Sequence, residues 1–324
     1  MSNKTEKPKK SAKELIQMLR DQKGVLFDLM CEDEAERYLI DRNNYLRTAS
    51  YRKNYEKRQT GPNKGKYIGL DFAYLAELSR IDLGLREILL QMCIDIEHAL
   101  KVALVSDVER NSAEDGYEIV NSFLNLNPDI LHNIAGKAES IFTGDLIRKY
   151  FDLCYVFEGE YIRTEIAAID CPIWVLVEIL AFKDFLRLLS YYESVYPGRI
   201  LYHAKLLNTV RSLRNACAHN NCILLSVRPG STSPNYIVSR YISQIDTVGK
   251  EERKNKLTCR PLYEIACLVM EYDTLVSDHV RRQGVEKLKN FVHGRMAEHS
   301  DYFADNQVLS TSFGFIRKVV DNLK

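Results

Sequence analysis

From Asp71 to about Val105 the apolar residues Leu75, Leu78, Leu85, Leu89, Met92, Ile96, Ala99 and Ala103 recur at helical spacing. That period lays one apolar stripe along a single long helix. Gly84, inside the stripe, is tolerated rather than terminating. A second constraint is Cys171-Pro172 followed by IWVLVEILAFKDFLRLLSYY. Pro172 suits a first helical turn, and the run behind it is apolar almost all round, which predicts a central helix. Glu178 is the exception in that run. A carboxylate there needs a partner, because an unpaired buried charge is costly, and Arg214 or Arg211 is the natural one. A third stripe of Leu206, Leu207, Val210, Leu213 and Ala216/Cys217 lies in KLLNTVRSLRNACAHNNCILLS, residues 205–226. Helices near 71–105, 172–192 and 205–219 are expected to pack together in a mostly all-α fold.

The rest of the chain supports the same class. Residues 1–10 are lysine-rich and read as a disordered basic tail. Ser11 and Glu14 form a capping-box pattern, so a helix starts there. A second helix is expected from about Asp33 to Tyr45. GPNKGKY, at 61–67, is a turn. A short helix fits Glu118–Leu124, and 129–150 is helical but weakly patterned. YIVSRYISQI alternates roughly and reads as a short strand or hairpin arm. KEERKNKLTCR reads as a charged connection. Amphipathic helices follow from Pro261 to about Val280 and over Gly284–Ala297, with a short piece in SFGFIRKVVDNLK. The expected division is a tail (1–10), an N-terminal helical region (11–68), a helical core (69–227) and a C-terminal helical extension (228–324) packed with the core.

A net charge of +1 does not announce a nucleic-acid binder, so basic patches have to be local. The most apolar stretch, Ile173–Phe182, is too short to span a bilayer and is broken by Glu178. The N-terminus has no signal-peptide core, so no membrane association and a cytoplasmic location are expected. Eight cysteines without a CxxC pair read as buried reduced thiols, and no cluster has zinc-ligand spacing. No cofactor or metal is expected. Cys217 lies two residues before His219, but residues two apart on a helix do not face each other, which argues against a nucleophile–base pair.

Arg214 and His219 carry the chemistry. A guanidinium binds phosphate oxygens bidentately, and an imidazole titrates near neutral pH and moves protons. The spacing alone proves nothing: with seven histidines and 45 lysines and arginines, 23 of them arginines, about 1.5 such pairs arise by chance. The surroundings, Arg211, Asn215, Asn220 and Asn221, have to carry the case. Asp95, Glu97 and His98 diverge around their helix and read as an ordinary polar face, although Glu97 could turn inward to hold an arginine. In NNYLRTASYRKNYEKR, Tyr45, Tyr51 and Tyr55 alternate with Arg47, Arg52, Lys53, Lys57 and Arg58. Such mixtures stack on bases and neutralise phosphates, or form a solvated loop with tyrosines tucked beneath.

Three stretches together resemble the Abi-like family, the AbiD/AbiF abortive-infection proteins: YLAELSRIDLGLREILLQMCIDIEHAL (74–100), CPIWVLVEILAFKDFLRLLSYY (171–192) and LRNACAHNN (213–221). RNNYLRTASY (42–51) is similar to that family's N-terminal motif in a degraded form. The resemblance implies a HEPN-like helical bundle with added N- and C-terminal helices. It implies a metal-independent endoribonuclease whose Arg-x4-His motif is Arg214 and His219. Asn215 matches the polar residue after the arginine, and Glu178 and Arg211 take supporting positions. Tyr45, Arg52, Lys53, Lys57 and Arg58 are the candidate RNA contacts. The expected partners are RNA and a second copy of the chain, because one histidine cannot serve as both acid and base and a homodimer brings two motifs together. The alternative from another class is a non-catalytic RNA-binding or regulatory protein that holds a structured RNA. A third, a HEPN toxin silenced by nucleotidyl transfer, requires a neighbouring transferase.

Overall fold

A computed structural model describes residues 8–158 and 161–323, so residues 1–7 of the expected tail lie outside the described residues. The chain is mostly helical. Helix α1 (Ala12–Lys23) opens with the expected reciprocal capping box: Ser11 Oγ accepts the Glu14 N–H, and the Glu14 carboxylate accepts the Ser11 N–H. Helix α2 (Glu32–Arg37) runs into a π-helical turn (Tyr38–Arg42) and stops at the extended Asn43, short of the expected Tyr45. Asn44 then caps a new helix, α3 (Tyr45–Ser50), followed by a 3-10 turn (Tyr51–Asn54). Helix α4 (Phe72–Arg110) is the long helix that its stripe predicts.

Helices α5 (Glu118–Asn125), α6 (Pro128–Ala135) and α7 (Gly144–Tyr150) are short. Strands β1 (Phe151–Glu158) and β2 (Tyr161–Ile169) form an antiparallel hairpin with a register shift at Asp152/Leu153. The apolar run after Pro172 is two helices, α8 (Ile173–Ile179) and α9 (Phe182–Val195), because Leu180 and Ala181 are extended. Helix α10 (Ala204–Ala218) carries the third stripe. The expected strand is helix α11 (Tyr236–Ile242): Val238 and Ile242, four apart, are buried, while Tyr236 is exposed. The charged connection is also a helix, α12 (Lys250–Leu257). Helices α13 (Arg260–Leu275), α14 (Asp278–His293) and α15 (Gln307–Asp321) complete the chain.

The chain forms two compact units that are not contiguous in sequence. One comprises residues 1–93, 212–274 and 278–324. Its core gathers Leu75, Leu78, Leu85 and Leu89 of α4 with Leu268 of α13 and Leu288 of α14. Gly84 is a close-approach site there: a Cβ built on it lies 2.6 Å from the Phe291 ring of α14. Alanine would gain about 1 kcal/mol of helix propensity, but overpacking costs about 1–3 kcal/mol. Gly84→Ala is therefore expected to be net destabilising by roughly 1 kcal/mol, read as a lower urea midpoint; a raised midpoint would show that Phe291 yields freely.

The other unit comprises residues 94–211 and 275–277. Ile96 and Leu100 of α4, Leu176 of α8, Leu188 of α9 and Leu207 of α10 are buried in its core. Among the described residues no helix is long and apolar enough to cross a membrane. Five cysteines, Cys93, Cys171, Cys217, Cys259 and Cys267, are buried; Cys154 and Cys222 are half-buried and Cys31 is exposed.

Candidate functional site

Helix α10 ends on a left-handed turn. Asn220 takes φ 58°, its N–H bonds to the Cys217 carbonyl at 3.0 Å, and the Asn221 N–H reaches back to the Ala216 carbonyl at 2.8 Å. This pair of bonds is a Schellman ending with Asn in the position glycine usually takes; the short amide side chain tolerates the conformation. His219 is thereby the last residue before the turn, and its side chain is exposed. Arg214 lies within the last turns of α10 and is half-buried. Its Nη1 donates to Asn215 Oδ1 at 3.3 Å, while its Nε is buried with no hydrogen-bond partner among the described residues. Buried donors are normally satisfied; the Nε atoms of Arg211, Arg253, Arg281 and Arg317 share this state, so it leaves Arg214 a free donor without setting it apart. Cys217 faces the core, and burial pushes its thiol up to about 12, which fits a packing role and not a nucleophile.

A polar clamp fixes the segment after His219. Arg86 of α4 bonds to the Asp82 carboxylate and donates to the Asn221 carbonyl at 3.0 Å. Asp82 in turn accepts the Leu224 N–H at 2.6 Å. Burial pushes the Asp82 carboxyl up, opposed by the Leu224 N–H and by Arg86. The fully buried Asn54 donates to the Leu224 carbonyl at 3.0 Å and accepts the Val227 N–H at 2.8 Å. Arg47 of α3 donates to Asn220 Oδ1 at 3.1 Å. The 42–51 stretch thus touches the end of the 213–221 stretch directly.

Beside this turn lies a cleft of about 590 Å³ lined by Arg42, Arg47, Arg80 and Arg86 together with Tyr38, Asn43, Asn44, Ser79, Leu83 and Asn220. Sequence reasoning missed Arg42, Arg80, Arg86, Asp82 and Asn54 as site residues. The available signal was the i, i+4 spacing of Asp82 and Arg86.

Other expected site residues have different surroundings. Glu178 faces solvent beside exposed Trp174, one turn earlier, so burial imposes no partner on it and the expected buried carboxylate is corrected. Arg211 lines a separate cleft of about 510 Å³ with Asn127, Lys183, Arg187 and Asn208, and its Nε too lacks a partner among the described residues. Glu97 pairs along its own helix with Lys101 at 3.4 Å and not with an arginine. Tyr51 and Tyr55 are buried and cannot stack on bases, as in the tucked-under alternative. Arg52 sits over the rings of Tyr45 and Tyr67 at 5.7 and 5.8 Å, and Lys57 lies 5.1 Å from the Tyr67 ring centroid. Lys53, Lys57 and Arg58 are exposed. Among the described residues no three His, Cys, Asp or Glu side chains gather as metal ligands would.

A family model described as Abi-like protein matches residues 38–224, more than half of the chain. The chain belongs to the Abi-like protein family. The matched stretch of this Abi-like protein opens at Tyr38, on the cleft wall, and closes at Leu224, held by Asp82 and Asn54. No curated protein and no solved structure matches the chain.

Proposed function

We propose that this Abi-like protein is a metal-independent endoribonuclease of HEPN type that acts in abortive infection. Membership of the family supports the role in abortive infection. The observation that carries the chemistry is the end of α10: an exposed His219 on a fixed left-handed turn, preceded by Arg214 with an unsatisfied buried Nε. An exposed histidine before a fixed turn, five residues after an arginine with a free donor, supplies the two groups that phosphodiester transesterification asks for. A base removes the 2′-hydroxyl proton, and the 2′-oxygen attacks the adjacent phosphorus. The P–O5′ bond breaks as the leaving oxygen takes up a proton. His219 serves as acid or base, and Arg214 stabilises the extra negative charge of the transition state. Asn215, hydrogen-bonded to Arg214, orients it.

One imidazole cannot fill both proton-transfer roles at once. A homodimer with two His219 side chains facing a shared cleft supplies the second. Arg52, Lys53, Lys57, Arg58 and Tyr45 would hold the flanking strand. Incubating purified protein with total RNA in EDTA and mapping the ends tests this function. The expected products carry 2′,3′-cyclic phosphate or 3′-phosphate opposite a 5′-hydroxyl. A 2′-deoxy nucleotide at the cut site is expected to block the cut. Ends with 5′-phosphate, or cleavage that vanishes in EDTA, would contradict it.

A further inference from the structure

We propose that the arginine-lined cleft beside Asn220 binds the sugar–phosphate backbone of single-stranded RNA next to the cut site; this rests on the ribonuclease function proposed above. Four guanidiniums line the cleft and no carboxylate does. Asp41, next to Arg42 in the chain, is exposed and is not among the lining residues, whereas Asp82 and Glu77 are buried and already engaged. Asp82 is held by Arg86 and the Leu224 N–H, and Glu77 by Arg295 at 2.9 Å. Glu77 also accepts from Arg80 Nη1 at 3.4 Å, a long bond that occupies one nitrogen of that guanidinium. The Arg42 side chain is exposed and makes no hydrogen bond or ion pair with another described residue. Arg47 spends one donor on Asn220. The wall therefore offers unspent donors from the planar forks of Arg42, Arg47 and Arg80, while the buried Arg86 is spent on Asp82 and Asn221; such forks are the chemistry that grips phosphodiesters.

The occupant follows from what the wall lacks. Tyr38 is buried and packs edge-on against Phe72, so it offers no free face to a nucleobase. Leu83 is the sole aliphatic lining residue. A free nucleotide bound by its base would need a stacking platform or an apolar slot. A strand read through its phosphates and ribose needs neither. The Arg47–Asn220 bond places this wall one residue from His219, so a strand lying in it passes the motif.

The test uses His219→Ala full-length protein, to prevent cutting, and a fluorescent mixed-sequence RNA of about twelve nucleotides. Anisotropy is read from about 50 to 200 mM salt. Arg42→Glu/Arg80→Glu is expected to weaken binding at least about 10-fold at low salt and to lower the log–log salt slope by about 1.4, roughly 0.7 per lost phosphate contact. Arg42→Lys/Arg80→Lys should keep most of the slope, which separates lost charge from a misfolded surface. Affinity and slope unchanged in the glutamate variant would overturn the inference, as would a labelled nucleoside triphosphate binding the cleft more tightly than the strand. Unchanged RNA binding with cleavage intact in otherwise wild-type Arg42→Glu/Arg80→Glu protein sinks the cleft and leaves the ribonuclease standing. Lost binding in a protein whose wild type never cuts RNA sinks the ribonuclease and leaves the cleft as an RNA seat.

Discussion

Asp82→Ala is expected to lower the unfolding free energy by about 3–5 kcal/mol, the largest loss anticipated for any single substitution at this site. Asp82 is fully buried and Arg86 is 4% exposed, so the change leaves an uncompensated guanidinium in the core. It also strips the Leu224 N–H of its acceptor, which adds the cost of a buried unsatisfied donor. Folded protein should lose the register of residues 221–224, and with it the fixed turn after His219. A double change, Asp82→Leu/Arg86→Met, should recover part of the stability: an apolar pair avoids the uncompensated charge, while the Leu224 N–H and the Asn221 carbonyl still lack their partners. Urea unfolding of the three proteins measures this. A loss below about 1 kcal/mol for Asp82→Ala would mean that Arg86 finds water or another partner.

Arg214→Ala is expected to slow RNA cleavage by about 10²–10³, the cost of removing one donor aimed at developing charge. Arg214→Lys should be nearly as slow, since a point charge does not replace a bidentate fork. Stability should change little, because Arg214 is half-buried and, among the described residues, its one side-chain hydrogen bond is to neighbouring Asn215. Initial rates at saturating RNA, with circular dichroism on the same samples, separate chemistry from folding. Light scattering on the wild type adds the oligomeric state. A monomer at micromolar concentration with full activity would remove the shared site while leaving the roles of Arg214 and His219 open to test.

Long-period signals were legible in the sequence. The stripe from Leu75 to Ala103 marks α4, and Ser11/Glu14 mark the capping box of α1. Short elements were legible only in part: the short helix expected at Glu118–Leu124 is α5 (Glu118–Asn125), but others were hidden. The break at Leu180 and Ala181 leaves no polar or glycine mark, so two helices read as one. In YIVSRYI, Val238 and Ile242 fit a step of two twice over as well as a step of four, and tertiary packing chose the helix. Glu178 looked buried because its neighbours are apolar. On a seven-residue helix, however, Trp174 and Glu178 make a one-turn exposed stripe that no average reveals. The hairpin of β1 and β2 has no counterpart in the expected elements, which include no strand between 150 and 171. The motif itself was visible, but its supports were not: Arg47 meets Asn220 across 173 residues and Asp82 meets Leu224 across 142. Local periodicity carries no information about such pairs.

The most direct measurement is the rate at which wild type and His219→Ala cut one mapped RNA in EDTA, with RNA affinity measured for both. Wild type is expected to cut. His219→Ala is expected to bind with similar affinity and to cut at least about 10²-fold more slowly, the lower bound for losing a proton-transfer group. Equal rates for the two proteins would contradict a catalytic end of α10.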